Sequence, residues 1–153
     1  MTQELASLLT RYAQAGSLRE LVACVRDFAA HDAPRLSGGR KIRLALTGNY
    51  STQFIARGFP LAMAARHIGM DLYESPYNHW RIDLLDAGSA LYRSAPTHIV
   101  LALTSIELAY GTLRSTQAVI SAIVAAVEAA LQASDAHVLV TLPEPLEIGR
   151  AHV

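Results

Sequence analysis

Hydrophobic residues near the start of the chain recur at the spacing of helix faces. The first set falls at i, i+3, i+4 and i+7 and predicts a helix ending at Gly16: Leu5, Leu8, Leu9 and Tyr12. Ser17 and Glu20 have the spacing of a capping box, and a second apolar stripe follows them: Leu18, Leu21, Val22, Val25 and Phe28. These stripes predict a helical hairpin over residues 1–33 that packs on the following domain, with a linker after it.

From Lys41 onward, short apolar runs alternate with longer helical patterns. The runs predict strands at residues 42–47, 70–74, 98–103 and 137–142. A helix is expected from Ser51 or Thr52 to His67, with a break at Gly58 and Pro60 and an end at Gly69. Short helical turns are expected over 82–92. A long helix is expected over 115–131, with these residues facing inward: Ile120, Ile123, Val124, Val127 and Leu131.

Strands that alternate with crossovers too long for hairpins indicate βαβ units and a parallel sheet. We therefore expect a three-layer α/β domain over residues 41–146, with the flavodoxin-like or SGNH-like strand order 2-1-3-4. Ligands in such sheets bind beyond the carboxyl ends of the strands, where the strand order reverses. This rule selects the segments 48–52 and 104–107.

Composition limits the function classes. Hydrophobic residues make up 52% of the 153 residues and charged residues 17%, which excludes a disordered chain. Thirteen basic and thirteen acidic residues balance, so the basic excess of a nucleic-acid binder is absent. We expect no membrane partner, because the best apolar run, residues 118–127, is short. Cys24, the sole cysteine, is expected to be buried and inert, and the N-terminus does not resemble a signal peptide, so a cytoplasmic location is expected.

The junction between the first strand and the next helix holds the main candidate chemistry. Backbone N–H groups at such a helix start can bind an anion, and Ser51 could act as a nucleophile. Alternatively, Ser51 or Thr52 only caps the helix. A single glycine stands here, Gly48, and neither a phosphate-binding loop nor a dinucleotide fingerprint is present.

An ordered series of segments resembles the N-terminal domain of FkbH-like proteins, which belong to subfamily IIIC of the HAD superfamily. The series covers the strand at 41–47, the loop at 48–52 with Phe54, the run 73–80, the run 83–92, and Pro96. The resemblance implies an SGNH-hydrolase-like fold followed by a HAD domain that carries catalytic aspartates and Mg²⁺. It also implies a parent protein that forms a glyceryl thioester on an acyl carrier protein in polyketide or related biosynthesis.

The chain departs from both catalytic patterns that the resemblance implies. The HAD motif Asp-x-Asp-x-Thr is absent from the sequence. Tyr50 stands where the SGNH nucleophile belongs, with Ser51 beside it, and the loop after the third strand (104–107) lacks the expected asparagine. The Asp-x-x-His pair would lie beyond the fourth strand. A triad needs nucleophile, base and orienting group together, so Ser51 is at most a weak catalytic candidate.

Residues near the reversal point are the predicted ligand-binding set: Gly48, Asn49, Tyr50, Ser51, Thr52, Tyr77, Asn78, Thr104, Ser105 and Glu107. No metal ligands are predicted, because the histidines lack metal-site spacing. His98 and His137 begin strands and are expected at the opposite rim. The loop that holds Tyr77 and Trp80 is expected to pack on the HAD domain.

Three functional hypotheses follow. The leading one is an accessory domain, without cofactor and non-catalytic alone, whose partners are the HAD domain and an acyl carrier protein. The alternatives are a truncated SGNH-type esterase using Ser51 and a module that binds small anions. Residues 148–153 resemble a translated sequencing adapter, so we expect them to be non-native and the parent protein to continue beyond Pro145.

Overall fold

The structure, a computed structural model, describes residues 3–30, 40–104 and 115–141. Within these ranges the helices are α1 (Gln3–Gln14), α2 (Leu18–Ala30), α3 (Gln53–Ala64), α4 (Trp80–Leu85), α5 (Ala90–Arg93) and α6 (Thr116–Ala133). The strands are β1 (Lys41–Gly48), β2 (Gly69–Glu74), β3 (His98–Ala102) and β4 (His137–Thr141).

The four strands form one parallel sheet in the order β2-β1-β3-β4, as predicted. In the register of the central strand, Leu44 pairs with both Leu72 and His98, and Gly48 pairs with Ala102. The order reverses beside β1, so the carboxyl ends of β1 and β3 lie next to each other. This reversal places the loop after β1 where α/β sheets bind their ligands.

Alternating residues of β1 face two different cores. Ala45 packs with Trp80 of α4 and Ala126 of α6 on one face. Leu46 packs with Ala56 of α3 on the other face. Helices therefore cover both faces of the sheet, which explains why β1 and β3 are apolar through most of their length.

The N-terminal helices pair with each other and pack on α3. Leu5 and Leu8 of α1, Cys24 and Phe28 of α2, and Leu61 of α3 belong to one buried cluster. This packing confirms the predicted hairpin and the buried thiol. Burial of these apolar side chains is what holds the hairpin to the α/β layer.

The capping box at the start of α2 is formed as predicted. Ser17 Oγ accepts a hydrogen bond from Glu20 N–H at 3.3 Å, and Glu20 Oε2 accepts from Gly16 and Ser17 N–H at 2.8 and 3.1 Å. These bonds lower the pKa of Glu20. The predicted inward stripe is wrong at two positions, since Leu18 and Val22 are exposed and Cys24 occupies the buried face.

Helix α3 differs from the prediction in two respects. It continues without a break through Gly58 and Pro60, so only the hydrogen bond that proline cannot donate is lost. It ends at Ala64 rather than His67, and Gly69 begins β2 instead of closing the helix. His67 adopts a positive φ of 58° in the turn between the two elements.

Helix α6 presents the predicted stripe to the core only in part. Ile123 and Val127 pack against the core as predicted, whereas Ile120, Val124 and Leu131 are about half exposed or more. Its buried residues are Val119, Ala126 and Ala130, and the small alanine side chains let the helix lie close to the sheet. By length and composition alone, this 18-residue helix is apolar enough to cross a membrane. A helix that packs on a core also passes this test, so the feature is weak evidence for a membrane span.

Candidate functional site

The site predicted at the strand-order reversal begins with Gly48, the last residue of β1. A Cβ atom at this position would overlap the carbonyl oxygen of Ala102 on the neighbouring strand. The next residue, Asn49, donates its backbone N–H to that same carbonyl oxygen at 3.2 Å. The glycine is therefore needed for the close approach of β1 and β3, which is a structural requirement of the sheet.

Asn49 is buried and joins the loop after β1 to the loop after β3. Its Nδ2 donates to the carbonyl oxygen of Thr104 at 3.0 Å, and its Oδ1 accepts from Thr104 N–H at 2.9 Å. The Thr104 hydroxyl also donates to Asn49 Oδ1, at 3.3 Å. Both ends of the amide are thus occupied by backbone groups, so Asn49 and Thr104 brace the two loops rather than face an open site.

Thr52 stands at the N-cap position of α3, but its side chain does not cap the helix. Its Oγ1 instead donates to Glu74 Oε1 at 2.7 Å, across to the end of β2. Thr52 is buried, whereas Glu74 is only half-buried. The prediction that Thr52 or Ser51 caps α3 through its side chain is therefore wrong. Glu74 was missed, although its place at the end of a strand was a usable signal.

Glu74 changes the electrostatics of the helix start. The first N–H groups of α3 receive no side-chain cap, which by itself would favour an anion. The carboxylate of Glu74 lies beside them, held by Thr52 Oγ1. A bound anion would therefore face a negative charge, which weakens the anion-binding alternative.

A cavity of about 270 Å³ opens at this end of the sheet. Tyr50, Ser51, Thr52, Glu74 and Tyr77 are among its lining residues. Ser51 is exposed at the cavity, and within residues 3–30, 40–104 and 115–141 no histidine hydrogen-bonds to it. A serine hydroxyl without a base is a poor nucleophile, so the described residues do not assemble a triad.

The loop after β2 divides into exposed and buried parts. Tyr77 is 66% exposed, and Asn78 is exposed with a positive φ of 56°. Trp80 is only 1% exposed because it begins α4 and lies in the core against the sheet. Its expected role as an interface anchor is therefore wrong, while Tyr77 remains available for contacts.

Sequence reasoning also missed a buried polar cluster next to this loop. Asp83 of α4 is buried. The pKa of Tyr73 and the pKa of Tyr92 are both raised, first by the burial of each phenol and second by the negative charge of Asp83. The Tyr92 hydroxyl donates to the carbonyl oxygen of Leu84 at 2.7 Å. Both phenols are thus held in the neutral form. None of the three residues lines the cavity at the end of β1.

Two predicted site residues, Ser105 and Glu107, lie outside the described residues, as does the segment 148–153. Among the residues that are described, no group of three or more His, Cys, Asp or Glu side chains could hold a metal ion. The described part of this chain therefore offers no fit to the Mg²⁺ that the sequence resemblance implies for a following domain.

The structure is similar to the crystal structure of the N-terminal part of the protein BF1531 from Bacteroides fragilis, which contains a phosphatase domain and is complexed with Mg. The TM-score is 0.68. The match covers 81% of this chain at 17% sequence identity. It covers 33% of the BF1531 chain, so this chain spans about a third of its match. The two share a fold.

No family model matches the chain, and no curated protein matches it. Sequence identity of 17% supports a common fold and carries no activity from one protein to the other. The resemblance found in the sequence and the similarity found in the structure nevertheless agree on one coarse point. Both relate this α/β layer to the N-terminal region of a protein with a phosphatase domain.

Proposed function

We propose that this chain is the non-catalytic accessory domain of a protein whose phosphatase-type domain follows it. The observation that carries the proposal is the similarity to the N-terminal part of BF1531, which contains a phosphatase domain. The match covers 33% of that crystallised chain, so most of its length lies outside the matched region and could hold the catalytic unit.

The polar residues at the sheet reversal support a non-catalytic role. The Asn49 amide is bonded to Thr104, Thr52 is bonded to Glu74, and Ser51 has no histidine base among the described residues. Covalent catalysis by serine requires a base and donors aimed at the developing oxyanion. In the described residues, the polar side chains of Asn49 and Thr52 instead form hydrogen bonds that hold the loops together.

The finer form of the proposal follows the sequence resemblance. The parent protein would be FkbH-like, and its HAD domain would hold Mg²⁺ through the aspartates of an Asp-x-Asp-x-Thr motif, which is absent from this sequence. The parent would form a glyceryl or acyl thioester on an acyl carrier protein, which makes that carrier a second partner. We also propose a cytoplasmic location, which the N-terminal sequence favours.

The surface that would receive the catalytic domain lies at the carboxyl end of the sheet. Phe54 on α3 is 86% exposed, Tyr77 is 66% exposed, and Tyr77 lines the cavity there. Large exposed aromatic side chains are typical anchors of protein interfaces. We name Phe54 and Tyr77 the aromatic rim and propose that the following domain docks on them through an apolar surface.

The first test is to read the DNA beyond codon 147 in the source genome and to express the chain joined to that continuation. An Asp-x-Asp-x-Thr strand downstream and Mg²⁺-dependent hydrolysis of p-nitrophenyl phosphate by the joined protein are expected. The chain alone is expected to be inactive. A continuation without that motif would refute the proposal.

The second test measures binding between this chain and the separately expressed downstream domain by calorimetry. Phe54→Ser combined with Tyr77→Ser is expected to weaken binding at least about tenfold, as for interface hot spots. Leu18→Ser on α2 is the matched control, because Leu18 is 77% exposed and lies on the N-terminal hairpin. Equal losses in both variants would contradict the aromatic rim as the docking surface.

The carrier-protein part of the proposal is tested separately. The joined protein is titrated with an acyl carrier protein that bears its phosphopantetheine arm, taken from the same genome. Saturable binding is expected. Its absence would remove the carrier from the proposal while leaving the accessory role intact.

A further inference from the structure

Two histidines meet at the amino-terminal rim of the sheet, opposite the site predicted from the sequence. His98 is the first residue of β3 and His137 the first residue of β4, and the two are paired in the register of the strands. Their ring centroids are 5.2 Å apart, with the ring planes inclined by 44°. Paired residues on neighbouring parallel strands project from the same face, which explains the close approach.

The hydroxyl of Thr97 contacts the His98 ring at Nδ1 and orients it. Thr97 Oγ1 accepts from Arg43 N–H at 2.9 Å and donates to the Arg43 carbonyl oxygen at 3.2 Å. Thr97 Oγ1 also lies 3.0 Å from His98 Nδ1, and the direction of that hydrogen bond depends on the tautomer of the ring. In the tautomer with its proton on Nδ1, His98 donates to Thr97 and the lone pair on Nε2 is open to a ligand.

This arrangement matches what a metal-binding histidine requires. In metal sites the ring nitrogen that does not bind the ion usually donates a hydrogen bond, which orients the ring. Zinc–nitrogen bonds of about 2.0–2.1 Å and a tetrahedral angle would place two ring centroids roughly 5 Å apart. The observed separation of 5.2 Å is compatible with that spacing.

We propose that His98 and His137 form a two-histidine site for a divalent transition-metal ion such as Zn²⁺, with water in the remaining positions. Imidazole nitrogen is a ligand that zinc, copper and nickel favour, whereas Mg²⁺ prefers oxygen. The site is independent of the accessory role proposed above. A cavity of about 570 Å³ beside the pair leaves room for the water ligands.

The charges around the pair set its pH dependence. Burial, the charge of His137 and the charge of Arg40 lower the pKa of His98, in that order. The Arg43 guanidinium donates to the Ala95 carbonyl oxygen, and Lys41 pairs with Asp71 at 2.7 Å.

Asp135 adds a negative charge on the wall of the same cavity. The positive charge of Arg40 opposes a bound cation and limits the affinity. Protons compete with the metal for the same nitrogen atoms, so binding is expected to weaken in acid.

The test titrates the untagged full chain with ZnCl₂ by calorimetry, with MgCl₂ as the comparison salt. One Zn²⁺ per chain is expected, with no measurable Mg²⁺ binding at the pair. His98→Gln and His137→Gln are each expected to reduce the association constant at least about tenfold, a loss that even supporting residues of metal sites cause. His67→Asn is the control, since His67 is exposed and distant along the chain in the turn before β2.

A second measurement keeps the inference testable if a variant folds poorly. Two-bond ¹H–¹⁵N spectra of the wild-type histidines are expected to show the Nδ1–H form of His98 and a Zn²⁺-dependent shift of its Nε2. The proposal is overturned if wild-type protein binds no Zn²⁺ at millimolar concentration. It is also overturned if both glutamine variants bind as wild type does, or if His98 carries its proton on Nε2.

Discussion

The two ends of the parallel sheet both hold polar side chains, but they engage them in different ways. At the carboxyl end, Asn49 and Thr52 are bonded to Thr104 and Glu74, so their polar atoms hold loops together. At the amino-terminal rim, the hydrogen bonds of Thr97 orient His98 and leave one ring nitrogen open. The expected site is thus braced, and the unexpected one has a free ligand atom.

This contrast shows that position in a fold does not by itself make a site. The reversal of strand order places the loop after β1 where related sheets bind ligands, yet the chemistry there depends on which polar atoms remain unpaired. If the two ends of the sheet differ in this way, substitutions at the carboxyl end change the stability of the fold. Substitutions at the amino-terminal rim change the binding of ligands and protons. The following experiments test this division, from the largest expected effect to the smallest.

Gly48→Ala is expected to have the largest effect. The added methyl group would overlap the Ala102 carbonyl oxygen, which belongs to backbone and cannot rotate away. We expect a loss of about 3 kcal/mol or more in the free energy of unfolding, the upper range for overpacking. Urea denaturation followed by circular dichroism measures it.

Gly58→Ala is the matched control for that substitution. Gly58 lies in α3 with no atom near its missing Cβ, so alanine should stabilise the helix by about 0.5–1 kcal/mol. If both variants lose stability equally, the close approach of β1 and β3 is not what requires Gly48.

Asn49→Ala should cost about 1–3 kcal/mol, because it leaves the N–H and carbonyl groups of Thr104 without their partner. The same denaturation experiment measures the loss. Hydrogen exchange at the Thr104 amide should accelerate as well. A variant as stable as the wild type would mean that Asn49 is free for ligand binding, contrary to its bracing role.

Stability should depend on pH through His98 at the amino-terminal rim. Because the pKa of His98 is lowered in the folded protein, the unfolded chain binds more protons once the pH falls below about 6.5. The stability contributed by His98 is therefore fully present above that value and is lost as the pH falls towards the folded-state pKa. Melting temperatures at pH 7.5 and 5.5 should diverge more for wild type than for His98→Gln.

His67→Asn serves as the reference in that series and should retain the wild-type pH dependence. Identical pH dependence in wild type and His98→Gln would indicate that the ring is not held neutral by its surroundings. That result would count against a ligand-binding role for His98 at the amino-terminal rim.

Ser51→Ala should have the smallest effect. The Ser51 side chain is exposed, and such surface substitutions change the free energy of unfolding by about 0.5 kcal/mol or less. Any background hydrolysis of p-nitrophenyl acetate should be the same in the variant and the wild type. A hydrolytic rate that disappears only with Ser51 would restore the esterase alternative.

Much of the fold could be predicted because the relevant signals are local. Helical spacing identified α1, the capping box marked the start of α2, and apolar runs marked all four strands. The parallel sheet followed from the long βαβ crossovers, and the strand order chosen by analogy with flavodoxin-like sheets is confirmed. The errors arose where packing between elements decides the outcome. Pro60 stays inside α3, Trp80 begins a buried helix, and α6 turns alanines rather than Ile120 and Leu131 to the sheet.

The candidate site was predicted only by position. Gly48, Asn49 and Thr104 do come together at the end of β1 and β3, as the topology rule requires, whereas Thr52 contacts Glu74 at the end of β2. The hydrogen-bond partners of these residues could not be predicted. Asn49 and Thr104, for example, lie 55 residues apart in the sequence and meet only in the folded chain. Glu74 could have been flagged from its place at the end of β2, but its partner Thr52 lies on another element and could not be predicted.

The sequence by itself determined the element types, the parallel sheet and the absence of an Asp-x-Asp-x-Thr motif, because each depends on neighbouring residues or on the length of the connections between strands. Only the tertiary structure decided which polar atoms are occupied and which are open. His98 and His137 stand 39 residues apart and come together only through the register of β3 with β4. Hydrogen-bond pairing between distant strands, rather than local pattern, fixes where a ligand could bind.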